Sequence, residues 1–163
     1  MNKFISPFVG VMLSSVAVSS IAIAQQQNST KVNSVEYLTS TETTSLNLPF
    51  SEAVRVGNML HLSGVIGNIP GKKELVSGGI TGETKQVMEN VKRILERHGS
   101  SLDRIVKCTV MLADINEWGA MNQVYITYFP KNRLPARSAF GTNGLALGAR
   151  MEIECIATVA SVP

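Results

Sequence analysis

Helical periodicity marks two stretches of this 163-residue chain, and short apolar runs typical of strands surround them. The first helix is predicted over residues 81–98, where apolar residues recur on one face: Val87, Val91, Ile94 and Leu95. The second is predicted from Asp114, a potential N-cap, to the residue before Pro130. Two helices cannot cover both faces of a sheet built from the remaining runs. We therefore expect one α+β domain with both helices packed on one sheet face.

Five apolar runs are predicted as strands: 53–56, 59–65, 105–112, 137–140 and 150–159. The first two are separated only by Gly57-Asn58, a pair that favours a tight hairpin turn. Residues 35–38 are compatible with a further, short edge strand.

The last strand predicts what each sheet face meets. Its apolar residues alternate and are suited to the helix-covered face: Met151, Ile153, Cys155 and Ala157. Glu152 and Glu154 then project from the opposite face, which must meet solvent or another subunit. Under a second subunit these carboxylates would need partners, and they are therefore candidates for chemistry.

The N-terminal residues resemble an export signal. Lys3 precedes an apolar stretch, Phe8 to Ile23, which ends in the small-x-small pattern Ala22-Ile23-Ala24 of a signal peptidase site. We expect cleavage after Ala24 and a protein exported to the periplasm or secreted, without stable membrane association. An uncleaved N-terminal anchor is the alternative. The expected segments are a signal peptide (1–24), a polar N-terminal tail (25–44) and the folded domain (45–163).

Charge and cysteine content restrict the function classes. A formal net charge of +3 is too small to predict attraction to nucleic acid. His61 and His98 lie far apart, so zinc-ligand spacing is absent and no metal site is predicted. Cys108 and Cys155 lie in different strand-like runs. We expect two buried, unpaired thiols, because a disulfide requires that these strands be neighbours with closely spaced Cα atoms.

Six short strings occur in the order typical of one protein family: GNMLHLSG at 57–64, ENVKRIL at 89–95, VKCTV at 106–110, MNQVY at 121–125, PARS at 135–138 and MEIECIA at 151–157. Each string alone is a weak signal, but the ordered set is specific. The chain resembles the Rid family of reactive intermediate deaminases, also called the YjgF/UK114 family, from about Pro49 to Val159.

The resemblance implies a chorismate-mutase-like fold, a homotrimer with clefts between subunits, and hydrolysis of enamines or 2-imino acids to 2-keto acids and ammonia without a metal or organic cofactor. Arg137 then binds the substrate carboxylate with its planar fork, or is a structural or interface arginine. Glu152 matches the cleft glutamate that orients or deprotonates the attacking water, a role that depends on a contact between subunits.

The resemblance also implies substrate-binding positions: Phe50, Ser63, Gly64, Asn122 and Ala139. Three residues depart from the pattern, because Phe50 stands where the family commonly has Tyr, Val65 where it often has Gln, and Ala139 where it often has Cys. These changes make the expected cleft more apolar and leave the preferred substrate open.

Two other functions compete with the deaminase. The first is a non-catalytic trimer that binds small acids or shields other proteins through the same cleft. The second is an endoribonuclease, which should display a basic, aromatic-lined groove that the sequence does not predict.

Overall fold

Residues 34–159, which the computed structural model describes, form a mixed β-sheet with helices. The strands are β1 (Val35–Leu38), β2 (Ala53–Val56), β3 (Met59–Leu62), β4 (Val65–Ile66), β5 (Ile105–Leu112), β6 (Ala136–Gly141) and β7 (Met151–Thr158). The α-helices are α1 (Thr41–Ser45), α2 (Gly79–Arg97) and α3 (Trp118–Tyr125).

Strand β7 lies inside the sheet. The strand order is β1-β2-β3-β7-β5-β6, and the short β4 also pairs with β7. β7 is antiparallel to β3 and β4 on one side and to β5 on the other, whereas β5 and β6 are parallel. The β2–β3 hairpin turns at Gly57-Asn58 as predicted, with a φ of 60° at Gly57 that glycine adopts without strain.

The α+β class and the one-sided packing are confirmed. On β7 the predicted apolar set is buried against the core: Met151, Ile153, Cys155 and Ala157. The same core takes up the apolar face of α2, with Val87, Val91 and Leu95 fully buried. Glu152 and Glu154 project from the other sheet face, in agreement with the period of two along a strand.

The helix boundaries differ slightly from those predicted. α2 begins at Gly79, two residues before the predicted start, and Gly99 follows its end with a φ of 77°. Asp114 caps a short 3₁₀ turn over Ile115–Glu117, through which the chain enters α3. None of the helices among residues 34–159 has the length and apolar character needed to cross a bilayer.

The described part of the expected polar tail is structured. β1 pairs with β2 at one edge of the sheet, and α1 follows it directly. Ser40 begins α1, because its hydroxyl oxygen accepts a hydrogen bond from the Thr43 N–H at 3.2 Å. The domain therefore includes residues before the expected boundary at 45. The predicted signal peptide, residues 1–24, lies outside the described residues.

The expectation of two unpaired thiols is wrong, because Cys108 and Cys155 form a disulfide. The two cysteines stand directly opposite each other in the register of β5 and β7, with Cα atoms 4.1 Å apart. Strand adjacency and register decided the pairing, and neither follows from the sequence positions of the two residues.

The disulfide should stabilise the fold. It closes a loop between residues 47 positions apart, and closing a loop of that length removes about 4 kcal/mol of chain entropy from the unfolded state. We expect a reducing agent to lower the midpoint of urea unfolding. The control is the double variant Cys108→Ala/Cys155→Ala, whose midpoint should not respond to the reductant. Alkylation of two free thiols in protein unfolded without reductant would contradict the disulfide.

Candidate active site

A cavity of about 370 Å³ brings together four of the predicted site residues. Phe50, Ser63, Gly64 and Glu152 line it, together with residues of α1, α2 and the loop after β4. Its position follows from the topology. After β3 the chain passes Ser63 and Gly64 and enters β4, where Ile66 pairs with Glu152 of β7.

Gly64 leaves the space that the Glu152 carboxylate occupies. A methyl group at Gly64 would lie 1.8 Å from Glu152 Oε1 and 2.7 Å from the carboxyl carbon. These distances are far below van der Waals contact, so any larger residue at position 64 must displace the carboxylate. The glycine is therefore required for close approach to Glu152.

Burial raises the pKa of Glu152, and the negative charge of Glu154 adds to this effect. The two residues project from the same face of β7, two positions apart. The Glu152 carboxylate thus retains a proton to a higher pH than an exposed glutamate does. A raised pKa brings the carboxyl closer to the neutral range in which a general acid–base group works best.

Ser63 holds the neighbouring segment in place. Its hydroxyl donates to the Ser51 carbonyl at 2.7 Å, and its backbone N–H donates to the Glu52 carbonyl at 3.1 Å. These bonds fix the chain next to Phe50, whose ring is half exposed at the cavity. Because the Ser63 hydroxyl proton is donated to the backbone, the hydroxyl can interact with a ligand only as an acceptor, through its oxygen.

A buried ion cluster, which sequence reasoning missed, lines the cavity at α1 and α2. Glu52 accepts hydrogen bonds from the Thr43 hydroxyl at 2.8 Å and from Arg97 at 2.6 Å. Burial alone would raise the pKa of Glu52, but hydrogen bonds from Ser40 and Thr43 and the Arg97 charge together lower it. Glu52 and Arg97 lie 45 positions apart, and no sequence pattern connects them. The cluster anchors α1 against α2.

His98 adjoins this cluster as a neutral group. Its Nε2 lies 3.3 Å from Glu52 Oε1 without making a hydrogen bond. Burial lowers the pKa of His98 and outweighs the opposing effect of the Glu52 carboxylate. Arg97 is therefore the cation that balances Glu52 at neutral pH.

Arg137 lies away from the cavity. It stands opposite Cys108 in the β5–β6 register, and Cys108 stands opposite Cys155, so all three project from the helix-covered face. Glu152 projects from the other face of the same sheet. One subunit thus does not bring Arg137 and Glu152 together.

Aromatic rings of α3 support Arg137. Its guanidinium carbon lies 4.7 Å from the centre of the Tyr125 ring and 5.9 Å from that of Trp118, distances at which a cation is attracted to a ring face. Asn122 lies between these residues on the same side of α3, since positions 118, 122 and 125 are four and three residues apart. Among residues 34–159, Arg137 makes no salt bridge. We call Arg137, Trp118, Asn122 and Tyr125 the Arg137 cluster.

Two buried polar atoms of the Arg137 cluster have no hydrogen-bond partner within the described part of the chain: Asn122 Oδ1 and the Tyr125 hydroxyl. Burial raises the pKa of Tyr125 to about 12, against the opposing charge of Arg137, so the phenol stays protonated. Ala139 stands two positions from Arg137 on the same sheet face, opposite Val110. Arg137, Asn122 and Ala139 therefore form a group separate from the Glu152 cavity.

Comparison with known proteins identifies the family. The family model described as Endoribonuclease L-PSP matches residues 41–159. The 2-iminobutanoate/2-iminopropanoate deaminase of Mus musculus is 43% identical over 109 residues, which are 67% of this chain and 80% of that protein. The chain belongs to the Rid family. Reactive Intermediate Deaminase A, chloroplastic, of Arabidopsis thaliana is 41% identical over 111 residues, 68% of this chain and 59% of that protein.

A solved structure supports the same assignment. The crystal structure of a Rid-family protein from Yersinia pestis has a TM-score of 0.71 and 33% identity, covering 77% of this chain and 100% of the other. The family fold expected from the six motifs is therefore confirmed.

The predicted export to the periplasm or medium is wrong. The Rid relatives include mammalian and plant proteins, and the plant protein is named as chloroplastic. The family match begins at residue 41, so none of the compared sequence supports an export signal. An apolar run that ends in small residues is a short, degenerate pattern, which explains why it misled the prediction.

Replacement of Gly64 by Ala should move the Glu152 carboxylate out of its half-buried place. Since burial is the main cause of its raised pKa, we expect that pKa to fall toward the ordinary value for glutamate. Carbon-13 NMR titration of the glutamate carboxyls, assigned with Glu152→Gln, measures the shift. Gly119→Ala is the matched control, because no heavy atom lies within 4 Å of the added methyl group. An unchanged Glu152 pKa in folded Gly64→Ala would contradict the close approach.

Proposed function

We propose that this Rid protein hydrolyses 2-imino acids to 2-keto acids and ammonia, in clefts that two copies of the chain complete together. The observation that carries the proposal is the presence of two incomplete sites on one chain. The cavity holds Glu152, and the Arg137 cluster holds an arginine without a carboxylate partner among residues 34–159. The Glu152 cavity and Arg137 lie on opposite faces of the sheet. A second copy of the chain must therefore bring its Arg137 to the cavity.

The Arg137 cluster suits a carboxylate ligand. A guanidinium offers parallel N–H donors that match the two carboxylate oxygens, and this pairing is stronger than a neutral hydrogen bond. The Tyr125 ring supports the guanidinium from one side without using its in-plane donors. The buried Asn122 Oδ1 provides an acceptor beside it, which suits the N–H of an imine.

Glu152 suits the proton transfers of the reaction. The carboxylate takes a proton from water as the water oxygen bonds to the imine carbon. It returns that proton to the nitrogen, which gives a carbinolamine. Glu152 then moves the hydroxyl proton to the nitrogen as the C–N bond breaks, the C=O bond forms and ammonia leaves. The raised pKa of Glu152 favours both directions of transfer. The reaction consumes one water per imine and requires no electron transfer.

The assembly we propose is a homotrimer, which closes the interface around a three-fold axis. Large apolar side chains are exposed on both sides of the sheet: Trp118 in the Arg137 cluster, and Phe140, which projects from the same face as Glu152. Their cover by another subunit would remove water from the site and strengthen the Arg137–carboxylate pairing.

The family description as an endoribonuclease does not favour RNA as the substrate here. The cavity is lined by three carboxylates, Glu42, Glu52 and Glu152, and by four basic side chains, Lys72, Lys73, Arg93 and Arg97. Such a balance lacks the basic excess that attracts a polyanion. The remaining competitor is a trimer that binds small acids without catalysis, which ammonia release distinguishes from the enzyme.

Substitution of Arg137 tests the proposed function. A charge-assisted pair with the substrate carboxylate contributes about 2–4 kcal/mol, so Arg137→Ala should lower kcat/KM roughly 30- to 1000-fold. Arg137→Lys should recover only part of this loss, because it keeps the charge without the fork. The assay measures ammonia and keto acid release from freshly generated imino acids, beside a melting curve and a mass measurement.

The matched control is Arg133→Ala, which removes an exposed arginine of the preceding loop and should leave kcat/KM unchanged. Full activity of a folded, assembled Arg137→Ala protein would refute the mechanism. Ligand binding by the parent protein without any ammonia release would favour the non-catalytic alternative.

A further inference from the structure

Leu147 has an unusual backbone conformation at the edge of the Glu152 cavity. Its φ of 59° and ψ of 14° lie in the left-handed region, which leucine rarely adopts. It stands in the turn Ala146–Gly148 that leads into β7, and 56% of its surface is exposed. Strain of this kind persists where the surrounding structure imposes it, and it is often found at ligand sites.

The side chain of Leu147 contributes to an apolar wall of the cavity. Leu48, Phe50, Val65 and Ile94 line the same space. We call these five residues the apolar wall. All five line the same cavity as Glu152, at which the proposed hydrolysis occurs.

The cavity exceeds the needs of the smallest imino acid. The three-carbon 2-iminopropanoate has six heavy atoms, which fill about 180 Å³ even at the ~30 Å³ that each water molecule takes in the liquid. The cavity measures about 370 Å³. About half of the cavity therefore remains, and the apolar wall forms part of its lining. A large hydrocarbon side chain displaces water from such a wall favourably, whereas a short one leaves the wall in contact with water.

We infer that the apolar wall selects 2-imino acids with a large apolar side chain, such as those formed from leucine or phenylalanine, and that Leu147 is a specificity-determining residue. This inference rests on the proposed function. In the proposed pose Arg137 of a second copy holds the substrate carboxylate, the imine carbon lies at Glu152, and the side chain occupies the space along the apolar wall.

Comparison of two substrates tests the inference. D-amino-acid oxidase generates the imino acids of alanine and leucine in situ, and semicarbazide traps whatever the Rid protein does not hydrolyse. We expect the parent protein to have the higher kcat/KM with the leucine-derived imine. Leu147→Gly should lower that value about 5- to 20-fold, within the range for loss of apolar contacts in a pocket, and lower the kcat/KM for the alanine-derived imine by less, so that the ratio of the two values falls.

Two further measurements separate specificity from structure. Glycine adopts the left-handed conformation without strain, so Leu147→Gly should keep or raise the melting temperature although it removes a side chain. Leu147→Met keeps an apolar chain of similar length and should retain the preference for the leucine-derived imine.

The outcomes distinguish the two levels of the proposal. If the parent protein hydrolyses neither imine, the proposed function fails. Two outcomes would overturn the inference and leave the proposed function standing. In the first, the parent protein hydrolyses the alanine-derived imine as well as the leucine-derived imine, or better. In the second, Leu147→Gly leaves the ratio of the two kcat/KM values unchanged. A lower melting temperature with equal loss on both substrates would make Leu147 a structural residue and would also overturn the inference.

Discussion

Both the core and the candidate site depend on the register of strand β7. It is hydrogen-bonded on both sides, to β3 and β4 and to β5, and its side chains alternate between two environments. Ile153 is fully buried in the core, while Glu152 enters the cavity from the other face. A slip of one residue in the register would exchange the two faces. The favourable free energy of burying Ile153 therefore also keeps the Glu152 carboxylate in the cavity. The Cys108–Cys155 disulfide fixes the same register covalently.

The same sheet separates the two groups that the proposed chemistry requires. Arg137 projects toward the helices from β6, and Tyr125 of α3 lies against its guanidinium. Glu152 projects toward the opposite side, where Gly64 leaves room for it. This separation explains how one chain can display both groups and still be incomplete. The proposed trimer would resolve the difficulty, because each copy would then offer its arginine to one neighbour and its cavity to the other.

Local patterns predicted much of the fold. The apolar period of α2, the Gly57-Asn58 turn and the alternation along β7 each depend on nearby residues, and the structure follows them. Helix α1 was not predicted because it is only five residues long and has no apolar period. It is stabilised by the side-chain cap of Ser40 and by packing against α2.

Long-range pairings could not be predicted in the same way. The disulfide depends on β5 and β7 being neighbours in one particular register. The Glu52–Arg97 ion pair joins residues far apart in the chain. Four predicted site residues line the cavity, but the motifs alone did not reveal that Arg137, Asn122 and Ala139 lie elsewhere on the subunit.

The most direct test of a shared site mixes two inactive variants. Arg137→Ala subunits keep a native Glu152, and Glu152→Gln subunits keep a native Arg137, so a mixed trimer contains one cleft with both native residues. Random reassembly of equal amounts should therefore restore about a quarter of the parent imino acid hydrolysis, since three quarters of the trimers are mixed and each has one native cleft in three. A mixture no more active than its separate components, in trimers shown by mass to contain both variants, would contradict the shared site.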